Sequence, residues 1–563
     1  MPRAREATAR GTGLDPTFPS WTALVPAEES GGRYPLALEA VGSHMVAANL
    51  LPAITNATPH PRYYSFFAWV FDTFDKIVAP RVPESGRAKA QRRWRAHLEH
   101  AFRACTLHID PTARQIIGYR SVIRFDDLSP STQVRLDGAA PTAFAPQNYG
   151  AAFAFLGLGY RAADRMRLTP LGREMAAAFE ETLTAGMTQP EKKALSILLS
   201  GKTRVPARVL FELAERFRIR TVRAHEPEHD PLLQALFRLD PSRLQSDPVA
   251  ARADRVRAVG LGLLLDLAGQ SNGTLTSLGD LYPIWAASSF ADGRAVAFQA
   301  REYGTAFAVW QRYQERQHQK LAVNAVWHEV LNGLEDARGT PVPAASLVGR
   351  CQGLAASSPL LAEWVGDGPM QQTVDAATAA VLRRLPTAAS DRGAVAHELT
   401  RSIMSETTSG AERMGTAVVL LLAVVAQWRA ERANLSQFLR DQHAHGGAAR
   451  LTLPWMADEL HRRGTQTLAS LVQWLVEWCV LSQSMRVAYE KIEQGDRFFI
   501  QRTDGGYVIN GERQLTSAYF AYDSSRLRGA MSILRELALL KGGTAYALTR
   551  AGERVRRAIP TAP

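Results

Sequence analysis

Residues 49–74 read Asn-Leu-Leu-Pro-Ala-Ile-Thr-Asn-Ala-Thr-Pro-His-Pro-Arg-Tyr-Tyr-Ser-Phe-Phe-Ala-Trp-Val-Phe-Asp-Thr-Phe. Pro59 and Pro61 keep the chain out of a helix until a new helical pattern begins. Large apolar side chains then recur at helical spacing: Tyr63, Phe66, Phe67, Val70, Phe71 and Phe74. Because Tyr64 and Trp69 extend this surface, the helix is apolar nearly all round, and such a helix is buried on several faces. We expect it to form the centre of an N-terminal domain, with Phe67 and Phe71 in the core.

The same helix has a second interpretation as a ligand surface. Arg62, Tyr63, Tyr64 and Trp69 could together form a surface on which nucleic-acid bases stack. Aromatic residues at helical spacing usually pack in a core, so we favour burial. The sequence alone leaves both interpretations open.

Length and composition indicate a globular protein of several domains with a basic surface. A chain of 563 residues is too long for one core and predicts about three or four domains. Net charge is +12, and 58 of the 66 basic residues are arginine, the side chain best suited to bidentate phosphate contacts. A GC-rich genome would give the same arginine bias. The charge therefore favours a polyanionic partner without identifying one.

No segment predicts a secretory signal or a membrane span. The most apolar run, residues 416–428, is shorter than the roughly 20 residues that cross a bilayer, and Arg429 follows it directly. We expect a buried core helix there. Cys105, Cys351 and Cys479 are far apart, which fits a reducing cytoplasm better than a disulfide framework.

The predicted fold class is mainly α and multidomain, with helical bundles and two α+β winged-helix units. We expect four regions along the chain. They are a flexible arm (1–35), an N-terminal helical domain ending in a winged-helix-like unit (36–185), a helical middle region (186–455) and a C-terminal winged-helix domain (456–563).

One order of elements occurs twice. Residues 148–158 predict a helix, residues 160–168 a hairpin, and Leu-Thr-Pro-Leu-Gly at 168–172 the start of a second helix capped by Thr169. Near the C-terminus, Ser524 or Ser525 should cap a helix that reaches Leu540. A Lys-Gly-Gly-Thr turn (541–544) then precedes Leu-Thr-Arg-Ala-Gly at 548–552, with Thr549 as cap. We interpret these as one structural arrangement used twice.

This order resembles the second half of a winged helix-turn-helix domain. The resemblance implies that the helix before the hairpin lies in the major groove and that the hairpin touches the flanking backbone. For the C-terminal unit it implies contacts from Ser525, Arg526, Arg528, Arg535, Lys541 and Thr544. For the N-terminal unit it places Arg161, Arg165 and Arg167 on the wing, with Arg165 and Arg167 as candidate nucleic-acid contacts, although the preceding helix is apolar. That copy is expected to be structural or to contact protein.

Two stretches add basic residues outside these units. Residues 87–95 hold five of them, on a helix predicted over 87–107 with an inward stripe from Trp94 to Cys105. Its outer face should carry Arg87, Arg92, Arg95 and Arg103. Residues 202–223 hold seven basic residues, with Glu212, Glu215 and Glu226 near enough in sequence to balance a solvated face. Several phosphate contacts would make binding steeply salt-dependent.

The sequence contains few patterns that are typical of catalytic sites. Residues 225–230, His-Glu-Pro-Glu-His-Asp, are the only compact cluster of possible metal ligands. Pro227 disrupts the helix that would present them at regular spacing, so we expect a polar loop without a metal. His328-Glu329 lacks the second histidine of the zincin pattern. Residues 503–506 predict a hairpin turn. No cofactor is expected.

The segment Leu-Leu-Pro-x-Ile-Thr-Asn-x-Thr before Arg-Tyr-Tyr-Ser-Phe is also similar to uncharacterised bacterial proteins of genome-defence or mobile-element clusters. These features together predict a cytoplasmic, non-catalytic component of a bacterial complex that binds DNA and other protein subunits, but no membrane. One alternative is a metal-dependent nuclease whose acidic residues are scattered along the chain. The other is a protein-interaction scaffold.

Overall fold

The computed structural model describes most of the chain as helices with a few short strands. The described residues are 36, 38, 46, 49–55, 57–113, 116, 129–136, 143–162, 165–240, 247–298, 300–431, 451–491, 500–509, 522, 526–541, 543 and 545–559. The predicted arm at 1–35 lies outside them. The chain forms two compact units. The first unit comprises residues 46–311 and 524–563, and the second comprises residues 1–45 and 312–523. The predicted mainly α class is therefore confirmed.

The helices and strands of the described residues have the following order along the chain. The helices are α1 Arg62–Thr73, α2 Glu84–Ile109, α3 Ala151–Phe155, α4 Pro170–Thr184, α5 Gln189–Leu199, α6 Ala207–Leu213, α7 His229–Phe237, α8 Pro248–Gln270, α9 Leu281–Ala287, α10 Arg301–Asp336, α11 Ala344–Ala356, α12 Pro359–Val365, α13 Val374–Arg384, α14 Ala389–Met404, α15 Gly410–Glu431, α16 Leu453–Arg462, α17 Leu468–Trp474, α18 Gln483–Lys491, α19 Leu527–Glu536 and α20 Arg550–Ala558. The strands form three antiparallel pairs: β1 Gln133–Arg135 with β4 Arg204–Pro206, β2 Gly159–Ala162 with β3 Arg165–Leu168, and β5 Ile500–Thr503 with β6 Gly506–Ile509.

Helix α1 is the centre of the first unit, as its sequence predicts. Phe67 and Phe71 are buried, and α1 packs mainly against α4 and α2. The ring of Phe66 stacks on Phe102 of α2 with centroids 4.2 Å apart. Tyr63, Tyr64 and Trp69 are also buried, with at most 1% of their surface exposed. That burial excludes the interpretation of this face as a base-stacking surface.

A charged side chain lies within this apolar centre. Arg62 and Glu228 are completely buried, and Arg62 Nε lies 3.1 Å from Glu228 Oε1. Arg62 also donates a hydrogen bond to the carbonyl of Arg218. Burial lowers the pKa of Arg62, and the charge of Glu228 opposes that shift. The ion pair joins α1 to the segment before α7, and removing one partner would leave an uncompensated buried charge.

The threonine-capped turn predicted at both positions is present in both and has the same local geometry. Thr169 Oγ1 accepts a hydrogen bond from the amide of Gly172, and Thr549 Oγ1 accepts one from Gly552. Each threonine hydroxyl also donates to a carbonyl at the end of the preceding helix, at 2.6 Å for Gly157 and 2.8 Å for Ala538. Both of those residues have left-handed backbone, with φ of 63° and 54°. The same capped turn therefore closes both pieces.

The ends of these helices differ from the sequence prediction. Residues Pro146–Gly150 form a short π-helix with a kink at Asn148, so the α-helix α3 begins only at Ala151. Helix α19 ends at Glu536 rather than Leu540, because Ala538 turns the chain into the left-handed region. Its N-cap residue is Arg526, and the predicted caps lie outside the described residues. In the C-terminal piece one antiparallel bridge, between Leu540 and Leu548, takes the place of a full hairpin.

The second unit is organised around α15. This helix packs against α11, α12, α13, α14 and α16, which confirms the predicted burial of residues 416–428. By length and composition the segment Gly410–Arg429 is apolar enough to cross a membrane, and 78% of its most apolar window is buried within the protein. The hairpin turn predicted at 503–506 is confirmed by the pairing of β5 with β6.

A polar run within α10 is buried in the second unit. All seven side chains of residues 314–320 are buried, although every one is polar or charged. Arg316 donates to the carbonyl oxygens of Leu451 and Leu38, at 2.9 and 3.1 Å. Burial, together with the nearby charge of His397, lowers the pKa of His318 to about 3. Backbone carbonyls of crossing segments therefore satisfy part of this polar core, as buried polar groups require.

The predicted domain boundaries do not coincide with the compact units. The C-terminal segment from residue 524 belongs to the first unit, with residues 46–311, and not with residues 456–523. The amide of Val222 donates to the carbonyl of Glu536 at 2.6 Å. Arg556 Nη1 lies 3.0 Å from Asp266 Oδ1 on α8. The chain thus returns to its first unit after completing the second.

Candidate nucleic-acid interface

Helix α19 exposes two of the predicted arginines on one face. Leu527, Met531 and Leu534 are buried, as their spacing predicts. Arg528 and Arg535 are seven residues apart, which places them on the same side of a helix, about 10 Å apart along its axis. Both are exposed, and neither side chain forms a hydrogen bond or ion pair with another described residue. They are thus available to an external anion.

Arg526 has a different role from these two. It is the N-cap residue of α19 with φ of 43°, and its guanidinium donates a hydrogen bond to the carbonyl of Ile54 at 2.8 Å. This bond joins the start of α19 to the segment before α1. Arg526 is therefore at least partly structural, unlike Arg528.

The end of α19 borders a polar cavity of about 730 Å³. Arg535 lines it together with Arg218, Arg220 and Arg223, which belong to the second predicted basic stretch. The amide of Val222 donates to the carbonyl of Glu536 and so connects this stretch to α19. Two basic regions more than 300 residues apart in sequence therefore meet at one cavity.

Acidic side chains neutralise much of the cavity itself. Glu215 pairs with Arg218 at 2.9 Å, and Glu226 pairs with Arg220 at 2.7 Å. This pairing supports the interpretation of residues 202–223 as a partly balanced face. Arg223, by contrast, is exposed, and its side chain has no ion pair with a described residue. The positive charge left for a ligand lies at the rim, where Arg223 and Arg535 both border the cavity.

A histidine that the sequence did not single out also lines this cavity. His60 Nδ1 lies 2.7 Å from Glu536 Oε1, and the His60 amide donates to the hydroxyl of Tyr149. His60 and Glu536 are 476 residues apart in sequence. No local pattern could predict their pairing. They position the C-terminal end of α19 against the segment before α1.

Two arginines of the β2–β3 hairpin, Arg165 and Arg167, form ion pairs within the protein. Arg165 is buried, and its guanidinium lies 3.0 Å from Glu84 and 3.9 Å from Asp75. Arg167 also pairs with Asp75, at 3.3 Å. Burial raises the pKa of Asp75, and the charge of Arg167 opposes that shift. This corrects the expectation for Arg165, which is buried; Arg167 is half-buried and also helps to hold the hairpin in place. Arg161, in contrast, is exposed.

The basic stretch of α2 does not form one continuous surface. Arg87 donates to the carbonyls of Ala79 and Val82, both at 3.1 Å, and so caps the preceding turn. Arg92 is exposed and Arg95 is half-buried. Arg103, predicted on the outer face, is buried beside Glu99, because that turn of α2 lies inside the first unit.

Of the remaining predicted contacts, Lys541 lies among the described residues. The side chain of Lys541 is exposed, and its amide donates to the carbonyl of Ala547 at 2.7 Å. Ser525 and Thr544 lie outside the described residues. Lys541 therefore lies on the connection between α19 and α20.

The possible metal ligands at residues 225–230 are dispersed. Glu228 is buried against Arg62, and His229 Nε2 lies 3.1 Å from the carbonyl of Leu537. Across the described residues, no group of three or more His, Cys, Asp and Glu side chains could hold a metal ion.

Comparisons of the chain with models of protein families, with curated proteins and with solved structures found no match.

Proposed function

We propose that this protein binds nucleic acid, specifically duplex DNA, through the exposed face of α19 and the rim of the adjoining cavity. The observation that carries the proposal is the pair Arg528 and Arg535, exposed on one helical face without a hydrogen-bond or ion-pair partner among the described residues. Arg223 adds a third such charge at the rim. Three guanidinium groups on one surface match the phosphate backbone, and Arg binds phosphate through bidentate hydrogen bonds.

The order of elements supports a duplex as the partner. Helix α19, the Leu540–Leu548 bridge and the Thr549-capped helix α20 follow the order of a winged unit, which resembles DNA-binding proteins of that class. In such units the first of these helices enters the major groove and the hairpin contacts backbone. Lys541 would then contact a phosphate beside the groove.

The wider role we propose is that of an assembly component without catalysis of its own in a bacterial complex, with anti-phage defence as the setting. Large faces of both units are helical, and the apolar helix α3 of the N-terminal unit carries Phe155 in an exposed position. Because aromatic residues are enriched at protein interfaces, we assign Phe155 to contact with another protein subunit. The duplex-binding surface would then bring the complex to DNA.

The test compares two sets of charge-neutralising substitutions. Changing Arg528, Arg535 and Lys541 together to Gln should weaken binding of a fluorescently labelled duplex at least tenfold, measured by anisotropy. Each lost phosphate contact should also reduce the slope of log K against log salt by about 0.9. Arg526 is left unchanged because its hydrogen bond to Ile54 is structural.

A matched control removes three exposed charges elsewhere: Lys192, Lys193 and Arg384, again changed to Gln. This control should bind the duplex as the unmodified protein does, with the same melting temperature. Equal affinities and salt slopes for the α19 variant and the control would remove α19 as the DNA site.

A further inference from the structure

A second cavity in the first unit combines an apolar wall with a basic rim. Its volume is about 410 Å³, and it lies between α1, α2 and the α3–β2 segment. Phe71, Phe144 and Met166 form part of the wall, while Arg92, Arg95 and Arg161 are the charged groups that line it. Among the described residues, no aspartate or glutamate lines this cavity. The site therefore differs from the 730 Å³ cavity, in which acids balance the arginines.

The apolar wall is held in place by aromatic and backbone contacts. The ring of Phe144 meets Phe71 edge-to-face with centroids 4.9 Å apart, and Phe153 at 5.5 Å. The side-chain amide of Gln91 accepts a hydrogen bond from the Met166 amide at 2.8 Å and donates one to the Met166 carbonyl at 2.9 Å. The polar groups of Gln91 are therefore satisfied within the protein. The wall is formed before any ligand enters, which reduces the ordering that binding would require.

Arg95 supplies an unsatisfied donor at this cavity. Its guanidinium lies over the ring of Phe144, with Cζ 5.4 Å from the centroid. Its Nε is buried and has no hydrogen-bond partner among the described residues. Burial lowers the pKa of Arg95; the charge of Glu99 opposes this shift, and that of Arg92 adds to it. A buried donor without an acceptor is costly. An anionic ligand in the cavity would provide a countercharge for Arg95 and the two other arginines that line it.

Two exposed aromatic residues are adjacent in sequence to residues that line the cavity. Phe155 follows Ala154, a lining residue at the end of α3, and is 53% exposed. Tyr160 precedes Arg161 on β2 and is 55% exposed. Aromatic side chains interleaved with arginines are the composition of surfaces on which unpaired bases stack.

We propose that this cavity binds an unpaired nucleotide, with its base against the Phe144 wall and its phosphate among Arg92, Arg95 and Arg161. A volume of 410 Å³ lies within the range of small-ligand pockets. The nucleotide has two possible sources, a free mononucleotide or a nucleotide within a single strand. The site does not depend on duplex binding at α19, since it uses other elements of the first unit.

The experiment measures binding of adenosine 5′-monophosphate by calorimetry and of a labelled hexathymidylate strand by anisotropy. The variant is R92Q/R161Q, because both side chains are exposed and neither forms an ion pair with a described residue. Its affinity for the bound probe should fall at least tenfold, with an unchanged melting temperature. The matched control K192Q/K193Q removes the same charge from α5 and should bind as the unmodified protein does.

The pattern of binding then separates the two sources. Binding of the mononucleotide identifies a free ligand, whereas binding of the strand alone identifies a single-stranded nucleic acid. Adenosine, which lacks the phosphate, should bind at least tenfold more weakly than its monophosphate if the mononucleotide binds. Failure of both probes to bind the unmodified protein would overturn the proposal, as would equal losses in R92Q/R161Q and the control. Neither result would bear on duplex binding at α19.

Discussion

At the scale of single residues, the core of α1 allows a graded stability prediction. Phe67 is fully buried, with ring centroids 5.5 Å from Tyr63 and 4.8 Å from Phe144. Phe67→Ala should therefore lower the free energy of unfolding by about 3–5 kcal/mol. Phe71→Ala should cost less, because Phe71 already borders the 410 Å³ cavity. Chemical denaturation would measure both. A larger loss for Phe71 would show that this cavity is closed in solution.

A buried carboxylate in the second unit gives a pH prediction. Burial alone would raise the pKa of Glu329, but hydrogen bonds from His328, Arg413 and Asn332 outweigh it and lower the pKa to about 2. Since the folded pKa is depressed, the stability from this carboxylate is full above the unfolded pKa near 4.5 and is lost as pH falls towards 2.

The contribution at neutral pH should be on the order of 3 kcal/mol, the free energy that corresponds to this pKa shift. Glu329→Gln should therefore be less stable than the unmodified protein at pH 7, with the difference shrinking as pH falls below 4.5. Thermal melts of both proteins between pH 3 and pH 7 would measure this. A difference that stays constant over that range would assign the loss to packing instead of charge.

Residue patterns predict burial better than they predict ion pairs. The spacing of Phe67 and Phe71 follows the helix, so their burial could be predicted from the sequence. Arg165, on a hairpin, instead pairs with Glu84 at the start of α2. That contact depends on how two elements pack, which no local pattern contains. That Arg528 and Arg535 are exposed and pair with no other described residue likewise depends on the surrounding surface, which the sequence does not contain.

At the scale of elements, substitution of two glycines by alanine would test whether the two capped turns are equivalent. A Cβ added to Gly172 would lie 2.0 Å from the carbonyl oxygen of Leu158, and one added to Gly552 would lie 2.2 Å from that of Leu539. Both contacts involve backbone, so the helix must shift to accept alanine. Each Gly→Ala change should lower the melting temperature. Gly349 on α11 is the control, since nothing lies within 4 Å of its added Cβ.

Gly349→Ala should be neutral or stabilising, by up to about 1 kcal/mol, because alanine favours a helix. Destabilisation by Gly172→Ala and Gly552→Ala, but not by the control, would establish that both pieces need the same close approach. A neutral result at Gly552 alone would show that the C-terminal turn tolerates a wider geometry.

The element boundaries show where sequence reasoning stops. Thr169 and Thr549 could be predicted as caps because the threonine and the glycine three residues later form a local motif. The early end of α19 could not, because it depends on Ala538 adopting a left-handed conformation that alanine seldom takes. The kink at Asn148 is a similar case. In both cases the backbone conformation depends on packing with other elements and is absent from the local sequence pattern.

At the scale of the whole molecule, sequence order is a poor guide to the units. The polar contacts of α19 and α20 go to residues that precede them by hundreds of positions, such as His60 and Asp266. Periodicity and composition describe neighbours in sequence and carry no signal for such a return. The mainly helical class follows from local patterns, whereas the grouping of helices into units depends on contacts between distant segments.

Removal of residues 524–563 should therefore damage the first unit rather than delete an independent domain. Asp266 is fully buried, and its carboxylate pairs with Arg556. Burial raises the pKa of Asp266 and Arg556 opposes that shift, so truncation leaves an acid that is costly to keep charged. The hydrogen bonds from Tyr303 to the Arg556 carbonyl and from the Val222 amide to the Glu536 carbonyl are lost as well.

The chain 1–523 should aggregate or melt at a lower temperature, measured by calorimetry and size-exclusion chromatography. Arg556→Met, with one of these contacts removed, should show a smaller shift in the same direction. A truncated chain that melts unchanged and loses only its DNA affinity would make the segment a separate binding domain.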